Sequence, residues 1–510
     1  MNFLLGSDIG TSSAKTILTN LDGKLITQDT QEYDVLTPKR LWAEQWPEIW
    51  MTGLFNSIRN TVAKSGVDPQ DIKGITISGL YGGSGIPVDE NFEAIRPCLI
   101  WMDRRAEKET KWVLENVGIE KLLKITHNGV DPYYGFTKML WVKFNEPENW
   151  RKIKYFLPPN SYAIYKLTGE VAIDYSSAGN IGGVFDMNQR KWSEELLNDL
   201  GIPTSMMPER LVNSTEIVGR LSENAASNLG LLPGTPVFFG GVDCGAATVG
   251  MGVLESGVFA ATIGTSMCGA LICDKSNLAA ESGKLIAWPY QYEPLEYSYL
   301  FSGANTAGAI LKWFRNTFAE NEFLAEKSGG ANAYDQLNEM AQEIPLGSNG
   351  LVVLPYFMGE RAPIWNSDAK GVIFGLSLNH TKAHIYRAFL EAIAFSLRDS
   401  IEASGNYQND HILVSGGVTR SPLFRQIVAD VTGYIVYSPN EDVEANLGDV
   451  MLAAIGTGLL EQEEVSKWQV MSNRTEPIKE NHEEYEKYYR LYHELYDCLK
   501  IPMADLSSLV

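Results

Sequence analysis

Along the chain, short apolar and β-branched runs broken by glycine alternate with stretches whose apolar positions fall at helical spacing. Phe3-Leu4-Leu5 is apolar, Gly10-Thr11-Ser12-Ser13 carries turn chemistry, and Thr16-Ile17-Leu18-Thr19 returns to β-branched residues, which predicts strand, turn, strand. From Trp42 to Val62 the residues Trp46, Ile49, Trp50, Leu54, Ile58 and Val62 recur at helical intervals, with Pro47 suited to a first turn. Ile75 to Ser78 predicts a strand that runs into a glycine-rich loop, Gly79 to Gly85. After Pro236, Val237-Phe238-Phe239 predicts a buried strand ending in Gly240-Gly241-Val242-Asp243, and the small-residue run Cys244 to Gly252 predicts a tightly packed helix. Ile412 to Gly417 predicts a strand before a helical stretch from Ser421 to Thr432. Tyr485, Tyr489, Tyr492, Tyr496 and Leu499 mark one face of a C-terminal helix packed on the second half. Such alternation predicts an α/β fold with ligands near strand ends.

The chain also repeats itself. Ile9-Gly10-Thr11-Ser12 returns as Ile263-Gly264-Thr265-Ser266, each between β-rich flanks, at an offset of 254 residues in a chain of 510. The matching setting predicts a duplicated domain with its boundary between residues 245 and 257. We therefore expect units over 1–247 and 248–510, two similar α/β lobes facing each other across a central cleft.

Charge narrows the function classes. Against 42 Lys and Arg stand 63 Asp and Glu, a formal charge of −21. A nucleic-acid protein normally shows a basic footprint, so that class is disfavoured. An anionic small ligand is still allowed, because backbone amides and a metal ion bind phosphate locally. No apolar run reaches the roughly 18 residues a membrane helix needs, and the start MNFLLGSDIG reads as a first strand, not a leader. Five cysteines without a CxxC pair predict neither a disulfide framework nor a zinc ribbon. A cytoplasmic protein with no nucleic-acid or membrane partner is the expectation.

Two turns rich in Gly, Ser and Thr offer backbone N–H groups and hydroxyls that can surround phosphate oxygens, and two such turns can hold a polyphosphate from both sides. Asp8 precedes the first turn, whereas Thr262 holds the matching place before the second. One acid for two phosphate turns suits a single hydrated Mg²⁺, an ion often bound through few carboxylates and several waters. Asp243, at the end of an apolar strand, can accept a proton from an alcohol as that oxygen attacks the γ-phosphorus of a nucleotide. It can equally cap the helix after it, and the two roles are compatible. Rival chemistries leave no trace: there is no G-x-x-x-x-G-K-[ST] and no G-x-S-x-G. His380 and His384 have i, i+4 spacing but no evident third ligand, and read as solvated or capping histidines.

Taken in order, these motifs resemble the FGGY family of carbohydrate kinases, within the actin, hexokinase and chaperone ATPase superfamily (ribonuclease H-like lobes). Gly6 to Lys15 resembles its first phosphate motif, Trp101-Met-Asp103-Arg104-Arg105 its sugar-pocket segment, and Asp131 to Trp141 and Gly371 to Glu391 its two signatures. Gly240 to Asp243 matches the segment bearing the catalytic base, Ile263-Gly264-Thr265 the second phosphate turn, and Ser415-Gly416-Gly417 the adenosine motif. The resemblance implies an ATP- and Mg²⁺-dependent kinase with Asp243 as general base and Asp8 as the metal-associated acid. It implies ATP contacts at Thr11, Ser12, Ser13, Lys15, Gly264, Thr265, Gly308, Gly416, Gly417 and Ser421. Sugar or polyol contacts are implied at Tyr81, Gly82, Trp101, Asp103 and Tyr133, besides Asp243, and family habit implies a homodimer. The xylulokinase-like branch is the nearest, with a ketopentose as substrate. That branch usually carries Met-His where this chain has Tyr81-Gly82, so another polyol, sugar acid or signalling carbohydrate is the alternative. An actin-like nucleotide switch is the alternative from another class.

Overall fold

Both glycine turns join two antiparallel strands, and each hairpin founds a sheet. The computed structural model describes residues 1–80, 82–281, 283–405, 407–439 and 445–509, and the chain gathers into two compact units. The first comprises Met1–Ser256, Ile272–Leu300 and Val443–Gln469, and the second Gly257–Leu271, Phe301–Asp442 and Val470–Val510. Tyr81, expected in the sugar site, lies outside the described residues.

The first unit is built on β1 (Phe3–Ile9), β2 (Ser13–Asn20), β3 (Leu25–Glu32), β4 (Ile72–Gly79), β5 (Gly219–Arg220) and β6 (Pro236–Val242), in the order β5-β6-β4-β1-β2-β3. β1 runs antiparallel to β2 and parallel to β4, and β4 runs parallel to β6. The parallel strands β1, β4 and β6 are buried along nearly their whole length, as strands covered on both faces are. Trp50, Leu54 and Ile58, on the helix Pro47–Ser65, pack into the same core as Leu5, Ile9, Ile75 and Ile77. Burial of each such aliphatic side chain contributes about 1.5–3 kcal/mol. Pro47 sits in the first turn of that helix, as its fixed φ favours, and Gly66 ends it in a left-handed conformation. Before it, Glu44–Gln45 pairs as a short strand with Cys98–Leu99.

Two helices of small residues, Asp243–Gly250 and Ala445–Gly456, pack tightly within this unit. A side chain at Gly448 would collide with the Ala246 carbonyl, and one at Gly6 would stand 2.5 Å from the Asn446 carbonyl. The bare backbone therefore lets the Ala445 helix lie directly on β1 and on the Asp243 helix.

The second unit contains β7 (Val258–Ile263), the Met267–Leu271 part of β8 (Met267–Asp274), the Phe301–Ala304 part of β9 (Tyr297–Ala304), β10 (His411–Ser415), β11 (Ile435–Ser438) and β12 (Asn473–Thr475), in the order β9-β8-β7-β10-β11-β12. β7, β10 and β11 are parallel. The helix Lys382–Ala403 is largely buried, and His384 closes its N-terminus by accepting from the Thr381 N–H. The Tyr-spaced segment lies within one long helix, Lys479–Ser508, which buries Tyr485, Tyr489 and Tyr492. Among the described residues no helix is long and apolar enough to cross a membrane.

Candidate active site

The first turn is held at every residue. Gly10 N–H donates to the Ser13 carbonyl at 2.9 Å, and Tyr33 donates its hydroxyl to the Gly10 carbonyl at 2.7 Å and its backbone N–H to the Ser12 carbonyl. Gln45 Nε2 donates to the Thr11 carbonyl at 2.9 Å, and Trp101 Nε1 to Thr11 Oγ1 at 3.0 Å. Burial and the neighbouring Asp8 carboxylate push the Tyr33 phenol up, so it remains a donor. Asp8 itself is half-buried at the end of β1, opposite Ser78 on β4 and Lys15 on β2.

Asp243 is set by the end of β6. A register shift between Phe239 and Gly241, with Gly241 at φ +76°, turns the strand before it enters the helix. Both backbone groups of Val242 are fixed: its N–H donates to Ser176 Oγ at 3.1 Å, and its carbonyl accepts from Gln291 Nε2 at 2.9 Å. Val242 occupies the cap position and Asp243 the first helical position, one residue later than capping predicts. Its Oδ1 accepts from the Cys244 N–H at 2.7 Å, and the helix N-terminus favours the ionised form.

A third acid joins the pair. Asp449 is fully buried, and Ser78 Oγ lies 3.0 Å from Asp8 Oδ1 and 2.8 Å from Asp449 Oδ2. Burial first, then the charges of Asp8 and Asp243, push the Asp449 carboxyl well above the usual carboxylate range. Asp8, Asp243 and Asp449 therefore share one electrostatic neighbourhood within the first unit.

Gly82, Trp101 and Tyr133 come together beside it. At φ +87°, a Cβ on Gly82 would stand 2.9 Å from both Trp101 Cβ and Tyr133 Cζ. Lys138 is buried beneath, donating to the Gly82 carbonyl at 2.6 Å and to the Tyr133 carbonyl, and burial pushes its ammonium down to about 7. Asp131 and Arg104 join the two segments through a bidentate pair. Asp103 departs from the sequence expectation. It is fully buried, with Oδ2 accepting from Ala43 N–H at 2.7 Å and both oxygens bonded to Arg105. Its carboxylate braces the Trp101 segment and is not presented to a sugar hydroxyl.

In the second unit a cavity of about 520 Å³ is bordered by Gly264, Thr265, Gly308, Gly417, Ser421 and Tyr334. Gly308 N–H donates to the Gly264 carbonyl at 2.8 Å, where a Cβ would stand 2.5 Å from that oxygen. Gly416, at φ +105°, lies against the Ile263 carbonyl, so it supports the wall, while Gly264 and Gly417 face open space. Ser421 caps the helix Pro422–Thr432 by accepting from Phe424 N–H at 3.3 Å. The volume is in the range of small-molecule and cofactor sites.

Residues 3–250 match the N-terminal domain of the FGGY family of carbohydrate kinases, and residues 259–457 match its C-terminal domain. The chain belongs to the FGGY family. It is 32% identical to the xylulose kinase of Bacillus subtilis over 513 residues, covering 100% of this chain and 99% of that protein. It is 31% identical to the gluconokinase of the same organism over 491 residues, covering 95% and 93%. The fold matches that of the ligand-bound xylulose kinase of Lactobacillus acidophilus, with a TM-score of 0.89 at 24% identity over 99% of this chain and 100% of that one.

This FGGY kinase is therefore a sugar phosphotransferase, and kinases of the family use ATP and generally a divalent metal. Among the described residues no group of three or more His, Cys, Asp or Glu could by itself hold an ion. The donor set fits a cation that keeps most of its waters: Asp8 supplies a half-buried carboxylate beside the first glycine turn, inside a cluster of acids. Two residues that bond into this acid neighbourhood belong to none of the motifs: Ser78, next to last in β4, and Asp449. Asp449 is the lone acid in the apolar run Gly448 to Ala454, a signal that could have exposed it.

Proposed function

We propose that this kinase transfers the γ-phosphoryl group of Mg-ATP to the terminal hydroxyl of a ketopentose, with xylulose as the first candidate. The observation that carries the reading is Asp243, half-buried at the first position of its helix and sharing the electrostatic neighbourhood of Asp8. In this reading the Gly10 and Gly264 turns hold the phosphates, and Thr11, Ser12, Ser13, Lys15 and Thr265 bind them. The cavity bordered by Gly308, Gly417 and Ser421 takes the adenosine. Gly82, Trp101 and Tyr133, with Tyr81 near them in sequence, form the sugar wall.

The sugar hydroxyl gives its proton to the Asp243 carboxylate as its oxygen bonds to the γ-phosphorus; the bridging oxygen leaves with ADP. Asp8 would hold a hydrated Mg²⁺, which would supply charge neutralisation on the transferring phosphate oxygens. The Val242 anchors keep Asp243 oriented, and exclusion of water around the acceptor limits hydrolysis of ATP. In this reading the reaction runs in the cytoplasm.

A sugar acid such as gluconate is the second reading, favoured by the similarity to a gluconokinase and by Tyr81-Gly82 in place of Met-His. A coupled ADP-release assay across pentuloses, hexuloses, polyols and sugar acids decides between them. We expect ATP consumption only with added sugar and the highest kcat/KM with xylulose. A preference for gluconate transfers the assignment to the second reading, and sugar-independent turnover overturns both.

A further inference from the structure

Ser78 Oγ is within hydrogen-bond distance of two carboxylates, Asp8 at 3.0 Å and Asp449 at 2.8 Å. A serine hydroxyl carries one proton and an ionised carboxylate carries none. If both acids were ionised, one of the two oxygen–oxygen contacts would lack a proton and be repulsive. The second proton belongs on one of the acids, and their surroundings differ. Asp449 is fully buried, and its other oxygen, Oδ1, is buried with no hydrogen-bond partner and lies against Gly240, where any side chain would collide with it. Asp8 is half-buried beside the phosphate turn. A charge on Asp449 would face Asp8 and Asp243 in a site of low polarisability, which is strongly unfavourable.

We propose that Asp449 is a positioning residue: a neutral acid that donates its proton to Ser78 Oγ, so that Ser78 donates to Oδ1 of Asp8 and holds that carboxylate oriented for phosphoryl transfer. The chain of donors runs one way, from Asp449 through Ser78 to Asp8. The proposal rests on the reading of Asp8 given above. Its chemical signature is that the site needs a hydrogen-bond donor at position 449, not a charge.

Four variants and two infrared measurements test this. Asp449→Asn places an amide N–H where the acid O–H stood, and should keep kcat within about threefold of wild type. Asp449→Leu and Ser78→Ala break the chain and should lower kcat by roughly ten- to a hundredfold, the size expected for a hydrogen bond to a charged group, and raise the metal concentration giving half-maximal rate, with sugar KM little changed. Infrared difference spectra of the nucleotide- and metal-free protein, wild type minus Asp449→Asn, should contain the carbonyl stretch of a protonated carboxylic acid at neutral pH. ¹³C-aspartate labelling of the wild type looks for the same band without any variant. The proposal is overturned if Asp449→Asn folds but is as impaired as Asp449→Leu, or if no protonated aspartate is found. If the band is present but Asp8→Asn leaves the metal titration unchanged, the role given to Asp8 falls and the protonation of Asp449 stands.

Discussion

Thr262 and Ser415 face each other across two parallel strands, hydroxyl to hydroxyl at 3.2 Å, in the register position that Asp8 and Ser78 hold in the other unit. In both units the first strand of the hairpin ends beside a serine from the neighbouring parallel strand, directly before the glycine turn. The duplication has kept the serine and the turn and changed the residue between them from acid to hydroxyl. Only one of the two turns then has a carboxylate suited to a cation.

If Asp243 is the base, Asp243→Ala should lower kcat by about a hundred- to ten-thousandfold, the usual contribution of a positioned base. Nucleotide affinity should hardly change. Steady-state kinetics together with calorimetric titration of ADP check both halves, and residual turnover within tenfold of wild type refutes the assignment.

Gly416 and Gly417 are adjacent but should respond differently. At Gly416, φ is +105° and a Cβ would strike the Ile263 carbonyl, so Gly416→Ala should cost about 2 kcal/mol or more and lower Tm. Nothing lies within 4 Å of a Cβ on Gly417, so Gly417→Ala should keep Tm within a few degrees and raise the KM for ATP. Thermal melts and ATP kinetics on both variants separate the structural glycine from the ligand-facing one.

The Trp101 indole joins the proposed sugar wall to the first turn through Thr11. Trp101→Phe keeps the ring and removes the donor, and should raise KM for both sugar and ATP by roughly three- to tenfold. A change in sugar KM alone would mean that the bond to Thr11 has no part in phosphate binding.

Burial lowers the Lys138 ammonium from its ordinary value of 10.5 to about 7. Between these values the unfolded chain holds more protons at this site than the folded one, so stability rises with pH, by at most about 1.4 kcal/mol per pH unit. Below about 7 both states are protonated and the full cost of the buried charge remains. Urea unfolding between pH 6.5 and 9.5 should show this rise in wild type and a flatter curve in Lys138→Met; parallel curves for the two proteins contradict it.

Local chemistry made much of the site legible. The Ile-Gly-Thr-Ser repeat marked both hairpins because a tight turn between β-branched runs needs those residue types wherever it occurs. Pro47 announced a helix start, and Val237 to Asp243 announced a buried strand leading to an acid. What the sequence did not show depended on tertiary partners: Glu44–Gln45 pairs as a strand with Cys98–Leu99, and Asp103 turns inward to Arg105 and Ala43.

The sequence by itself determined the two-part α/β plan, the two glycine turns and the place of the candidate base, since short-range periodicity and turn chemistry are written in neighbouring residues. Tertiary structure alone decided that Ser78 would stand between Asp8 and Asp449. That contact joins positions 371 residues apart, and it exists because bare glycine backbone at Gly6 and Gly240 lets a helix approach the sheet closely enough for a buried acid to reach a strand hydroxyl.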